Sequence, residues 1–239
     1  FRRGGEVGEA KIEGARIVNY LLEKTRLTRP PEGERNFHIL YRLLCPATPH
    51  AGRKGKKQPK HHFSAEERPV AVLASLPLGQ PEALDYLRQS DPWTSDEVTA
   101  ETAAFHATAM SLEALGVPVA ARHDLWTLLA AVALLGNLSF DRTESVGSED
   151  GSQGCAPSNS NSLLVVSSLL GVAPADLEAA FCKRKLALRN QADILRPQSA
   201  SQALETRDTV ARALYNGIFE WLVQQANATI QSALSDDDA

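Results

Sequence analysis

The sequence is poor in cysteine and has no long hydrophobic run. Its three cysteines, Cys45, Cys155 and Cys182, form no CxxC pair and no Cys/His ligand set. This spacing argues against a metal site and suits reduced thiols in a cytosolic protein. No apolar run reaches the roughly 20 residues that a membrane-spanning helix needs. We therefore expect neither a structural metal nor a membrane span.

Methionine is even scarcer than cysteine. The only methionine is Met110, and the chain opens with Phe1, so we expect an internal piece of a longer protein. The 239 residues are 43% hydrophobic and 23% charged, a composition typical of a soluble globular protein.

Positive charge is in slight deficit overall. The 25 Lys and Arg residues against 29 Asp and Glu give a net charge of -4, which argues against a nucleic-acid binder. Two stretches are nevertheless basic, residues 46–69 and residues 183–198. The first is flanked by prolines and is interpreted mainly as a solvated surface insert, with nuclear import or nucleic-acid binding as the alternative.

Hydrophobic periodicity predicts a mainly α-helical chain. We expect an amphipathic helix over residues 32–45 and another that starts at the capping box of Thr94 and stops at Gly116. The next helix carries a continuous apolar stripe that ends at Gly136, so it should be deeply buried. The residues expected in its core are Leu128, Leu129 and Val132.

The C-terminal half predicts three more helices. A short pair covers residues 163–170 and 175–182, with Pro174 suited to the first turn of the second. A long helix runs from about Ser199 through Ala226. Its expected inward positions are Ala203, Val210, Leu214, Ile218 and Leu222.

Strands are predicted only near the N-terminus. Short apolar runs within residues 6–29 indicate one or two strands at the edge of a sheet. Residues 141–161 are rich in Ser, Gly, Asn and Asp without periodicity and predict a mobile loop. Residues 183–198 predict another irregular connection.

Four strings resemble the signature strings of the myosin motor head. Residues 12–26 read IEGARIVNYLLEKTR and resemble I-x-G-A-x-I-x-x-Y-L-L-E-K-S-R, and residues 32–41 read EGERNFHILY and resemble E-G-E-R-N-F-H-I-F-Y. Residues 129–140, LAAVALLGNLSF, look like A-A-V-L-H-L-G-N-I-x-F. Residues 207–227 contain RDTVARALY, FEWLV and a closing Asn227, which look like R-D-A-L-A-K-x-L-Y, F-x-W-L-V and the final asparagine of the family.

The resemblance implies the actin-side helical subdomain of a P-loop α/β motor domain, with a small strand element near the N-terminus. It divides the chain into residues 1–29, which would be distal strands of the central sheet with their connection, residues 30–230, the helical subdomain, and residues 231–239, a tail.

The resemblance also implies which chemistry lies elsewhere. In the parent motor, ATP and magnesium are held by a phosphate loop and two switches, and this chain has no G-x-x-x-x-G-K-[ST] string. We therefore expect no catalytic, cofactor-binding or metal-binding residue here. Actin-activated ATPase activity would belong to the parent protein.

Filamentous actin is the partner that the resemblance implies. The loop at residues 183–198 would touch actin, and its charges, five positive against one negative, suit an acidic partner. The predicted actin-binding residues are Lys183, Arg184, Lys185, Arg189, Asp193 and Arg196. The loop at residues 141–161 is net negative and is not expected to be a strong contact. Either Asp193 or Ala192 occupies the position where many myosins carry an acidic or phosphorylatable residue.

A non-motor function remains an alternative. The chain would then be a helical scaffold derived from a myosin head that binds an acidic partner through its basic insert, or, as a weaker alternative, an RNA-associated adaptor. As a motor piece it would act in the cytoplasm on the actin cytoskeleton, with light chains and cargo bound only through other regions.

Overall fold

The computed structural model describes residues 14–20, 22–44, 83–88, 94–143, 154–186 and 194–236. Within these ranges the chain is mainly helical, as predicted. The helices are α1 (His38–Leu44), α2 (Ser95–Ala114), α3 (Val119–Leu135), α4 (Ser160–Leu170), α5 (Pro174–Cys182) and α6 (Ala200–Asp236). Strands β1 (Phe140–Thr143) and β2 (Gly154–Pro157) form a first antiparallel pair, and β3 (Lys183–Leu186) and β4 (Ile194–Pro197) form a second.

Local capping explains where the helices begin and end. The side chain of Thr94 accepts a hydrogen bond from the Glu97 amide, and the Glu97 carboxylate accepts one from the Thr94 amide, which confirms the predicted capping box at the start of α2. Helices α2 and α4 stop at Gly116 and Gly171, which adopt positive φ angles of 71° and 67°. Glycine adopts this conformation without a steric penalty from Cβ.

Helix α3 is the centre of the core. It packs against α1, α2, α4 and α6, and every residue from Leu129 to Leu135 is buried. Its run of small and branched apolar residues lets neighbouring helices approach on all sides. The predicted burial of Leu129 and Val132 is confirmed, whereas Leu128 is only half-buried because it borders an open apolar groove between α3 and α6.

Three asparagine side chains hold backbone outside the α-helices in place. Each side-chain amide donates hydrogen bonds from its nitrogen and accepts them at its oxygen. Asn36 donates from Nδ2 to the carbonyl oxygens of Leu27 and Tyr86, while its Oδ1 accepts from the Phe37 amide. Asn137 accepts from the Asp85 amide and donates to the Ala83 carbonyl. These amides satisfy backbone groups that no helix or strand satisfies.

Asn227 does the same for the N-terminal segment. Its Oδ1 accepts from the Ile17 amide at 2.7 Å, and its Nδ2 donates to the Ile17 carbonyl at 2.9 Å. Residues 14–20 form no strand and Lys24–Leu27 form a 3-10 helix, so the predicted strands are absent there, while residues 6–13 and residue 21 lie outside the described residues. A strand needs a neighbouring backbone, and here one side-chain amide supplies the two hydrogen bonds instead.

Three other boundaries differ from the prediction. The helix predicted over residues 32–45 starts only at His38, because Asn36 is buried by its hydrogen bonds to distant carbonyls. The described ends of the predicted loops at residues 141–161 and 183–198 form the two strand pairs, which hydrogen bonds between strands stabilise. Residues 144–153 and 187–193 of these loops lie outside the described residues. Helix α6 continues beyond Ala226 to Asp236. The division into three parts remains a prediction.

The described helices do not include one that is both long and apolar enough to cross a bilayer. Helices α4 and α5 meet that measure only as a pair, and the pair is bent by 109°.

Candidate functional site

The second strand pair, β3–β4, gathers the predicted basic residues and is called the basic hairpin here. Its register pairs Arg184 with Arg196 and Lys185 with Leu195. Because directly opposite residues of an antiparallel pair point to the same face, the two guanidinium groups share one face. Lys183 and Lys185 share the other face with Leu195. The hairpin is therefore cationic on both faces.

The charged side chains in the described part of the basic hairpin are all positive. Lys183, Arg184, Lys185 and Arg196 are all exposed. Within the described ranges, no carboxylate forms an ion pair with Lys183, Arg184 or Arg196. Like charges directly opposite each other destabilise a strand pair, so an anionic partner would relieve this repulsion. Leu195, 60% exposed, adds an apolar contact surface beside the charges.

Gln198 closes the base of the basic hairpin. Its backbone amide donates to the Cys182 carbonyl at 2.8 Å, and its buried side chain donates from Nε2 to the Phe181 carbonyl at 3.0 Å. Its Oε1 accepts from Thr206 in the second turn of α6. The two ends of the hairpin are thus fixed to each other and to α6.

The two strand pairs meet at their bases, and this meeting point is called the shared root here. Phe140, the first residue of β1, makes an edge contact with Phe181 next to β3, with ring centroids 5.8 Å apart. Both strand pairs also pack against α5, the first through β2 and the second through β3. The first pair, called the first hairpin, exposes Asp141, Arg142 and Thr143. The two hairpins are therefore joined through α5 and the Phe140–Phe181 contact.

A buried polar network lies beside the shared root and holds the backbone that leads into β1. The Tyr86 hydroxyl donates to Asp208 at 2.7 Å, and Arg207 binds the same Asp208 oxygen. Arg207 Nη1 also donates to the carbonyls of Gly136 and Leu138, immediately before β1. Burial raises the pKa of the Tyr86 phenol far above its ordinary value, so it stays a donor.

The described residues offer no place for the magnesium nucleotide that the resemblance implies for the parent. No group of three or more His, Cys, Asp or Glu side chains converges among them, and the phosphate-loop string is missing from the sequence. A magnesium nucleotide needs a backbone cradle and oxygen ligands. The described residues do not supply this arrangement.

The structure describes four of the six predicted site residues. It places Lys183, Arg184 and Lys185 on β3 and Arg196 on β4, close together in one hairpin. Arg189, Asp193 and Ala192 lie outside the described residues, as does the basic insert at residues 46–69. Sequence reasoning missed Gln198 and the Phe140–Phe181 contact. Nothing in the local sequence signals either, because each acts on a residue far along the chain.

The comparisons with known proteins agree on one family. The model of the myosin head (motor domain) matches residues 7–238. The chain is 32% identical over 222 residues to the Myosin-I heavy chain of Dictyostelium discoideum, covering 93% of this chain and 8% of that protein. It is 31% identical to Myosin-3 of Arabidopsis thaliana, with 92% and 17% covered, and 32% identical to Myosin-52 of Schizosaccharomyces pombe, with 95% and 13% covered. The chain spans less than a fifth of the length of these relatives.

Proposed function

The chain belongs to the myosin motor-domain family, and on that premise we propose that its basic hairpin is a contact with filamentous actin in an ATP-driven motor. One observation carries the proposal. Arg184 lies directly opposite Arg196 on a strand pair that also exposes Lys183 and Lys185. This cluster of four cations lies on a chain whose net charge is -4.

Charge complementarity is the physical basis of this contact. A concentrated positive patch accelerates encounter with an acidic filament and fixes the orientation of binding. Single exposed ion pairs contribute only about 0.2 to 1 kcal/mol each, so the four cations would act as a set. The exposed Leu195 would contribute apolar contact at the centre of the charged rim.

The support of the hairpin suits a contact that bears force. Helix α5 leads directly into β3, and Gln198 joins the end of β4 to α6. Helix α6 has 37 residues and packs on the central helix α3. A load on the hairpin would therefore pass into the packed core.

Catalysis would belong to other parts of the motor. We place ATP and magnesium binding outside this chain, because it lacks the phosphate-loop string. The protein would work in the cytoplasm on the actin cytoskeleton. Light chains and cargo would bind only through regions that this chain does not contain.

Co-sedimentation of the 239-residue chain with filamentous actin tests the proposal. We would compare the parent sequence with the double charge reversals Lys183→Glu/Lys185→Glu and Arg184→Glu/Arg196→Glu. Two lost ion pairs predict affinity about two- to thirtyfold weaker at low salt for each double variant. The salt dependence of binding should also decrease, because fewer charges take part.

The matched control is Lys24→Glu/Arg29→Glu. Both residues are exposed and lie outside the hairpin, and the substitution changes the net charge by the same amount. It should leave actin affinity within about twofold of the parent sequence. Equal weakening by the control would mean that only total charge matters. Unaltered affinity of the hairpin variants at low salt would overturn the proposal.

A further inference from the structure

Two buried thiols meet at the shared root of the hairpins. Cys155 lies on β2 and is 8% exposed, and Cys182 is the last residue of α5 and is 5% exposed. The two thiols are near enough to interact, and each changes the pKa of the other. Both residues line a cavity of about 450 Å³ that also borders Glu178, Lys183 and Leu195.

The arrangement differs from that of ordinary core cysteines. A buried cysteine usually acts as a small apolar side chain without a reactive neighbour. Here two interacting thiols, one on β2 and one at the end of α5, border the same cavity, which has room for a small oxidant. Among the described residues no third ligand completes a metal site. The chemistry open to such a pair is formation of a disulfide bond.

We propose that Cys155 and Cys182 form a reversible disulfide that locks the roots of the two hairpins together and so regulates the basic hairpin. The effect on actin binding rests on the proposed function, whereas bond formation does not. The position of Cys182 supports the coupling. Strand β3 begins at the next residue, and the Cys182 carbonyl accepts the Gln198 amide that closes β4.

A peroxide is the oxidant that the chemistry requires. The Cys155 thiolate attacks one oxygen of hydrogen peroxide. An S–O bond forms, the O–O bond breaks, and hydroxide leaves and is protonated to water. The Cys182 sulfur then loses its proton and attacks the sulfenic sulfur, which forms the S–S bond and releases a second water. The two sulfur atoms lose two electrons, and one peroxide becomes two waters.

The local environment of the two thiols keeps their reaction with peroxide slow. Burial raises the pKa of both thiols, that of Cys182 to about 12. The nearby Glu178 carboxylate raises both pKa values further, and Lys183 opposes it at Cys182. Arg142, the register partner of Cys155, lies on the same face of the first hairpin. Cys182 lowers the pKa of Cys155, whereas Cys155 raises the pKa of Cys182, so Cys155 is the first nucleophile.

The test uses the 239-residue chain with Cys45→Ser, so that only this pair remains. The reduced protein is treated with hydrogen peroxide at pH 8, and thiols are counted with DTNB. We expect both thiols to disappear together in a monomer that is two hydrogen atoms lighter. Peptide mapping should recover the segments of Cys155 and Cys182 joined to each other, and dithiothreitol should separate them.

Single variants supply the control for bond formation. With Cys155→Ala or Cys182→Ala, peroxide should yield no intramolecular bond, and circular dichroism checks that each variant is folded. Persistence of two free thiols in the parent pair, or bonds only between molecules, would overturn the proposal. These outcomes are measured on the chain that carries both cysteines, so they decide the question even where a single variant does not fold.

Actin co-sedimentation of the oxidised and reduced forms tests the regulation. A locked root removes motion that binding would otherwise have to freeze, so the oxidised form should bind about two- to fivefold more tightly. Equal affinity of the two forms would refute the regulatory role. If the reduced form does not bind actin at all, the proposed function fails, while the disulfide result stands by itself.

Discussion

Tyr86 and Asp208 are 122 positions apart in the chain, and the Tyr86 hydroxyl donates a 2.7 Å hydrogen bond to the Asp208 carboxylate in the core. The same carboxylate binds Arg207, whose guanidinium lies over the Tyr86 ring. Arg207 in turn holds the carbonyls of Gly136 and Leu138. The arginine and aspartate of the matched R-D string are therefore structural residues that join α6 to the end of α3.

Removal of the Tyr86 hydroxyl should destabilise the protein. In Tyr86→Phe, the Asp208 carboxylate keeps Arg207 but loses one buried hydrogen bond, and a hydrogen bond to a charged group contributes about 1.5 to 3 kcal/mol. Thermal unfolding followed by circular dichroism should show a Tm lower by several degrees. Tyr20→Phe is the matched control, since Tyr20 is 86% exposed. Equal melting of the two variants would contradict the structural role of the pair.

Alkaline pH should weaken the fold through the buried tyrosines. Burial raises the pKa of Tyr86 and Tyr215, whereas tyrosines of the unfolded chain lose their protons near pH 10. Above that pH the unfolded state binds fewer protons than the folded state. The free energy of unfolding should thus fall by up to about 1.4 kcal/mol per pH unit for each group.

Urea unfolding at pH 9, 10 and 11 measures this dependence. Below pH 10 the contribution is fully present, and it is lost as the pH rises toward the folded-state pKa. Tyr86→Phe should show a smaller decline between pH 10 and 11 than the parent sequence, because one of the two groups is missing. Identical slopes would show that Tyr86 does not retain its proton in the fold.

Two glycine-to-alanine substitutions should change the free energy of unfolding in opposite directions. A Cβ at Gly136 would lie 2.8 Å from the Tyr86 ring, and the resulting overpacking predicts a loss of about 1 to 3 kcal/mol. Gly217 lies inside α6 with open space around it, so alanine there should stabilise by about 0.5 to 1 kcal/mol. Denaturant unfolding of both variants decides the matter. Stabilisation by Gly136→Ala would refute the close approach.

Loss of the Asn227 amide should release residues 14–20. In Asn227→Ala, the Ile17 amide and carbonyl lose their partners, so trypsin should cleave after Arg16 several-fold faster, with little change in global stability. Asn216→Ala is the control, because Asn216 bonds only to Glu220 on the same helix among the described residues. Unchanged cleavage after Arg16 would show that the amide does not hold the segment.

The chain alone should not bind ATP. The phosphate-loop string that would cradle the nucleotide is missing from the sequence. Equilibrium dialysis with labelled ATP and magnesium should detect no binding up to about millimolar ATP. Micromolar, magnesium-dependent binding would reveal a nucleotide site that neither the sequence nor the described residues indicate.

Much of the helical architecture was predictable from short-range signals. The capping box at Thr94, the stop at Gly116 and the apolar run of α3 each operate within a few residues, so each is readable in the sequence. The long matched strings identified the family for a related reason. Their asparagines and the Arg207–Asp208 pair hold backbone in place, and the same fold requires the same residues at these points.

The hairpins and the thiol pair were not predictable in that way. Residues 141–161 and 183–198 show no alternation of polar and apolar residues that would predict a strand. Their strands form because each has a partner strand and packs against α5. The register that brings Arg184 opposite Arg196 has no local signal.

The sequence by itself thus determined the main helices, several of their ends and the family, since these follow from interactions between near neighbours. The tertiary structure alone decided that Tyr86 meets Asp208 and that Cys155 meets Cys182. The physical reason is that such contacts join residues far apart in the chain, and only the packed core determines which of them come within hydrogen-bond distance.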